Sequence, residues 1–198
     1  MIEAVGRYSE LIKGINTEIS ASKVVELRLT GALGTLTDGK KYRITAEIDA
    51  EYDKVKGTTF RAKLLSASPV EDTEQDYARY RGVFRINEGA GGILEKQGSE
   101  LMFYRGDAFS SELHQVELTK SSGWVTVAIP KAVSSYAYRA GDLIYVDGKL
   151  YHKTRNVGGN TSYEICVRAD ECHKVDGTEY WERVRASHYR ASQRKQGK

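Results

Sequence analysis

The chain has 198 residues, 40% hydrophobic and 10% aromatic, enough for one medium domain with a packed core. Only two prolines beside nineteen glycines argue against disorder, and no apolar run approaches the roughly 20 residues that span a bilayer. The net charge of +3 hides an asymmetry. From Arg183 onward lie six cations (Arg183, Arg185, Arg190, Arg194, Lys195, Lys198) and no acid, so removing them leaves −3 for residues 1–182.

At the N-terminus, Ile2, Val5, Tyr8, Leu11, Ile12 and Ile15 recur at spacings of three and four. That period predicts an amphipathic helix over residues 1–19, packed on the body's own sheet or docked on a neighbouring subunit. Glu10, Lys13 and Glu18 interrupt any signal-peptide core, so synthesis in a reducing cytosol is expected.

From Lys23 the period becomes two. Val25, Leu27 and Leu29 alternate with polar neighbours, and Tyr42, Ile44, Ala46, Ile48, Ala50 and Tyr52 face away from Arg43, Thr45, Glu47, Asp49 and Glu51. Such alternation is that of an antiparallel sheet with one buried face. An acidic connector follows at Glu71-Asp72-Thr73-Glu74-Gln75-Asp76, read as a solvated loop in preference to a Ca²⁺ site because it lacks the glycine and distal glutamate of an EF-hand. Further strands are expected around Tyr80–Ile86, Leu101–Arg105, His114–Leu118 and Trp124–Ile129, with Gly89-Ala-Gly91-Gly92 as a flexible loop. Strands at this spacing suggest an antiparallel β-sandwich, jelly-roll-like, over residues 20–130. No repeat at a fixed period is visible.

Residues 131–185 read as a small β-hairpin module. Two apolar runs meet at Asp147-Gly148, a dipeptide suited to a type I′ turn, and Tyr138, Tyr145 and Tyr151 are joined later by Tyr180 and Trp181. Residues 186–198 are a basic tail. Arg190, Arg194 and Lys195 are read as reaching an acidic groove on a neighbouring protein or as solvated, and nucleic acid is not expected as the partner, because the tail lacks interleaved aromatics.

Other constellations favour structural readings. Cys166, Cys172 and His173 have zinc chemistry, but the cysteine gap is wider than zinc sites use, and no disulfide framework, metal or other cofactor is expected. Ser110, Ser111 and His114 form no nucleophile elbow, and Glu47, Asp49 and Glu51 read as the wet face of a sheet, so the chain is not expected to be an enzyme.

The stretch Tyr138–Tyr151, with Tyr180-Trp181-Glu182-Arg183-Val184, is similar to small β modules of phage tail, fibre and collar proteins and to aromatic chitin-binding modules. The run Leu36–Thr45 resembles the opening of jelly-roll sandwiches in carbohydrate-binding modules and virion accessory proteins. The resemblance implies a structural component of a phage-like particle, made in the host cytoplasm and located in the virion, whose partners are other virion proteins and copies of itself. The second reading is a carbohydrate-binding protein stacking glycans on Tyr138, Tyr145, Tyr151, Tyr180 and Trp181.

Overall fold

The run from Lys41 to Ile48 forms a strand for the reason its alternation gives: Tyr42, Ile44, Ala46 and Ile48 are buried while Arg43 is exposed. The structure, a computed structural model, describes residues 1–20, 23–49, 51–53, 57–59, 61–94, 100–108, 123–157 and 159–175. Among these the protein is mainly β, mostly antiparallel, and no helix is long and apolar enough to cross a membrane.

The sheet closes on itself twice. The first ring contains β1 (Ile2–Ser9), β2 (Gly14–Ser20), β3 (Lys23–Thr30) and β4 (Lys41–Ile48). A short ribbon, β5 (Glu51–Asp53) with β6 (Gly57–Thr59), precedes its fifth strand, β7 (Arg61–Pro69). Spatial order is β1-β2-β3-β7-β4, closed by pairing of β4 with β1. All contacts are antiparallel except β3 with β7. The second ring contains β8 (Tyr77–Leu94), β9 (Glu100–Ala108), β10 (Gly123–Pro130), β11 (Leu143–Val157) and β12 (Asn160–Lys174). Its order, β8-β9-β10-β12-β11 closed by β11 on β8, repeats the first, and its parallel pair, β10 with β12, falls at the same place. The rings occupy residues 2–69 and 77–174, whereas the sequence suggests boundaries at 20, 131 and 186.

Strand alternation cannot tell a sandwich from a closed barrel, because both bury one face of every strand. The pairings of β1 with β4 and of β8 with β11 decide it, and they replace the jelly-roll sandwich by two five-stranded barrels. Their buried side chains form one continuous cluster running from Ile2, Tyr8 and Ile44 to Tyr80, Phe84 and Val127. The two barrels also join through backbone: β1 pairs antiparallel with β8 from Ile2↔Tyr80 to Val5↔Tyr77.

The N-terminal helix is absent. Residues 2–9 and 14–20 are strands joined by a turn in which Lys13 takes φ 45°. The expected stripe therefore comes apart: Ile2, Val5, Tyr8 and Ile15 are buried, Ile12 is half-buried, and Leu11 is 98% exposed at the turn. The helical period in β1 comes from burial on both faces. Ile2, Ala4 and Tyr8 belong to the barrel core, while Val5, on the opposite face, is buried where β1 is flanked by β4 and β8.

Asp147-Gly148 is not a hairpin turn. It lies within β11 at a β-bulge, where Asp147 pairs with Glu171 and Gly148 with Ala169, so Asp170 is the extra residue. A Cβ on Gly148 would run into the carbonyl of Arg168, which makes the glycine a close-approach residue. The hairpin turns beyond Val157, where Gly159 takes φ 82°. Gly89-Ala-Gly91-Gly92 likewise lies within β8, where register shifts against β9 bend the strand.

Candidate functional site

Alternation places Arg79, Arg81, Val83 and Arg85 of β8 on the barrel's outer face, opposite Lys149, Asp147, Tyr145 and Leu143 of β11. The bulge sets Asp147 between two arginines. Its carboxylate accepts from Arg79 Nε at 2.5 Å and from Arg81 Nε at 2.9 Å. Arg79 also meets Asp170, the bulged residue, at 3.1 Å, and Arg81 meets Glu3 of the first barrel at 3.6 Å. Hydrogen bonding and charge from Asp147 hold the Arg81 guanidinium above its ordinary pKa. Beyond them Arg85 is paired with Asp107 at 2.7 Å, and Asn87 Nδ2 donates to the same oxygen at 2.8 Å.

Next to this network the Tyr145 ring stacks on His173, centroids 5.1 Å apart and planes 29° from parallel. Burial, followed by the nearby Asp147 and Glu171 charges, raises the Tyr145 pKa. Lys149 is exposed and is the register partner of both Arg79 and Arg168. A cleft of about 180 Å³ opens between Arg79, Lys149, Tyr77 and Gln75. The face thus offers stacked rings beside fixed guanidinium donors and an exposed ammonium. That chemistry suits a ligand with flat rings and negative charge.

The tyrosines of the sequence reading do not share one surface. Tyr138 is 8% exposed, edge-on to Tyr104 at 5.7 Å and to Tyr136 at 5.1 Å. Burial and a hydrogen bond from Cys172 push its pKa up to about 12. Tyr151 is half-buried and packs on an outer cluster of Leu101, Phe103 and Ala128, and of these three described tyrosines only Tyr145 lies beside the charged network. Tyr180, Trp181, Arg190, Arg194, Lys195, Ser110, Ser111 and His114 lie outside the described residues. Cys166 is buried and Cys172 half-buried, both as thiols, and among the described residues no group of His, Cys, Asp and Glu is placed to hold a metal.

The acidic connector is strapped to the first barrel. Asp76 pairs with the buried Lys41 at 2.5 Å, Asp72 with Arg7 at 3.0 Å, and Glu74 with Arg43. Lys41 Nζ also donates to the carbonyls of Asp72 and Glu74. Arg79, Arg81 and Lys149 escape the sequence reading, and Asp147 enters it only as a turn residue, although Arg79-Tyr80-Arg81 carries a signal: charges flanking a buried ring at period two.

A closed five-stranded barrel with this order and one parallel pair has the architecture of the OB-fold, a class that binds oligonucleotides and oligosaccharides. The chain carries two in tandem. Among solved structures it is similar to the wild-type single-stranded DNA binding protein from Thermus aquaticus, with TM-score 0.57 and 12% identity over 88% of this chain and 91% of that one. It is equally similar to a deletion mutant of that protein, with TM-score 0.57 and 11% identity over 88% and 93%. No protein-family model matches the chain, and no curated protein matches it in sequence.

These findings overturn the resemblance to phage tail, collar, fibre and decoration proteins and the virion role drawn from it. The stacking module for glycans gains no support. The exclusion of nucleic acid falls too, since it rested on the tail's composition and ignored the barrel faces.

Proposed function

We propose that the chain binds single-stranded nucleic acid, without catalysis, on the outer face of β8, β11 and β12. The observation that carries this reading is the tandem barrel fold, which the chain shares along nearly its whole length with a single-stranded DNA binding protein. The chemistry of the face supports it. Unpaired bases stack on aromatic rings, and Tyr145 with His173 offers such a platform. Phosphates need cations: Lys149 stands open, and Arg79 and Arg81 lie beside it, their charge partly offset by Asp147.

The test is fluorescence anisotropy of a labelled oligo-dT strand titrated with the chain. Binding should weaken with salt by about 0.7 in log K per log salt for each phosphate contacted. Tyr145→Ala should cost roughly 1–3 kcal/mol, as loss of one stacked base does, whereas Tyr145→Phe should bind like the parent. Absence of binding at ~50 mM salt, where phosphate contacts are strong, would end the proposal. So would equal affinity for duplex.

A further inference from the structure

The outer face of β8 does not stop at the second barrel. Ala78 and Tyr80 belong to the buried cluster, so alternation puts Tyr77 outside with Arg79 and Arg81. Tyr77 pairs with Val5 of β1 and Arg79 with Glu3, which carries the face onto the first barrel without a break in the sheet. The cleft of about 180 Å³ lies at this junction, lined by Gln75, Asp76, Tyr77, Ala78, Arg79 and Lys149. Tyr77 is half-buried, and its hydroxyl lies beside the Arg43 guanidinium of β4. Gln75 and Lys149 are exposed. The Asp76 carboxylate is taken up by the buried Lys41 at 2.5 Å, which offsets its charge toward an anionic ligand.

We propose that this cleft is a second base subsite: one unpaired base of the strand that stacks on Tyr145 and His173 enters it and lies on the Tyr77 ring. The subsite rests on the binding of single-stranded nucleic acid proposed for the neighbouring face, and it extends that footprint across both barrels. Along β8 the outer face runs Tyr77, Arg79, Arg81, Val83, and Val83 is the register partner of Tyr145. A ring therefore stands at each end, with guanidinium groups between and Lys149 opposite Arg79. Such an order suits a strand whose bases are held at two points while its phosphates pass over cations. Tyr77 and Val83 are six residues apart in one strand, about 20 Å at ~3.4 Å per residue. More than one nucleotide thus separates the two bases. The Gln75 amide is both donor and acceptor, so it can meet the edge of any base, and the subsite tolerates all four. The backbone prepares the cleft. Pairing of β1 with β8 fixes Tyr77 against Val5, and Lys41 fastens the connector through the carbonyls of Asp72 and Glu74. A subsite ordered before its ligand arrives costs less to fill.

The test is photo-crosslinking of the full, unaltered chain to oligo-dT carrying iodouracil, which links to aromatic side chains, with the links mapped by peptide mass spectrometry. A strand with two iodouracils several nucleotides apart should link Tyr77 and Tyr145 of one chain at once, and a strand with two adjacent iodouracils should not. In parallel, Tyr77→Leu, which keeps apolar cover over the buried Val5, should lower affinity about five- to hundredfold, as loss of one stacked base does, and Tyr77→Phe should restore it. A melting curve shows whether the Leu variant is folded, and the crosslinks decide the matter if it is not. Links to Tyr145 without links to Tyr77, or a folded Tyr77→Leu that binds like the parent, would overturn the subsite and leave single-strand binding standing. Absence of binding and of links at either ring would take both down.

Discussion

Replacing Asp147 by Ala should loosen the fold and tighten the grip on nucleic acid at once. The Asp147 side chain is 12% exposed, against 28% for Arg79 and 47% for Arg81. A hydrogen bond to a charged group contributes ~1.5–3 kcal/mol when protected, and an exposed ion pair only ~0.2–1 kcal/mol. Arg79 belongs nearer the first range and Arg81 to the second, which gives a loss of about 2 kcal/mol. In a chain of this size that lowers Tm by roughly 4–8 °C. Urea unfolding followed by far-ultraviolet circular dichroism measures the loss. The double variant with Arg79→Ala should be less than additive by about 1 kcal/mol, as contacting residues are. For binding the sign reverses, because two guanidinium groups lose their internal carboxylate. Affinity for oligo-dT at low salt should rise, and the salt slope should steepen by ~0.7 for each phosphate gained. A stability change below ~0.5 kcal/mol, the scale of ordinary surface substitutions, would refute the network. Unchanged affinity and salt slope would remove this face from the interface.

Three further outcomes are expected. Leu11→Ser should leave stability within ~0.5 kcal/mol, while Ile15→Ala should cost ~2–5 kcal/mol, as burial in a β-hairpin demands; equal costs in chemical denaturation would restore a helical stripe. Lys41→Met should free the connector between the barrels, raising amide hydrogen exchange at residues 71–76 by at least tenfold while β8 stays protected; unchanged exchange would show that the strap holds nothing. Burial pushes the Tyr8 and Tyr138 hydroxyls up to about 12, so the neutral rings favour the folded state. That stability is complete below about pH 10, the unfolded value, and drains away as pH climbs toward 12. Tyrosinate absorbance should therefore show these rings titrating late and together with unfolding, and an early titration of all the tyrosines would contradict their burial.

Strands were legible where one face is buried and the other wet. Lys41–Ile48 is such a strand, and its alternation survives in the structure. β1 misleads because both of its faces are covered, so Val5 adds an apolar position out of phase with Ile2, Ala4 and Tyr8 and imitates a helical period. Asp147-Gly148 misleads for a related reason: a carboxylate beside a glycine suits a turn, but here the glycine yields room to Arg168 and the carboxylate holds two arginines. Closure is written in no local pattern. It depends on pairs such as Ala4↔Ile44 and Tyr145↔Val83, far apart in sequence. The repeat hides because it lies in strand order alone: β1 has 8 residues and its counterpart β8 has 18.

The antiparallel pairing of β1 with β8 joins the same strand of each barrel, and Ile2↔Tyr80 mirrors Val5↔Tyr77 about a local two-fold. That is the geometry of an isologous dimer interface, here enclosed within one polypeptide. A dimer of separate barrels would come apart on dilution, whereas residues 70–76 keep these halves at a high effective concentration whatever the protein's abundance. Covalent tethering also lifts the demand that both halves match, since a substitution in one is no longer copied into the other. One barrel can then present a stacked Tyr145–His173 pair beside guanidinium groups without its twin having to carry the same set.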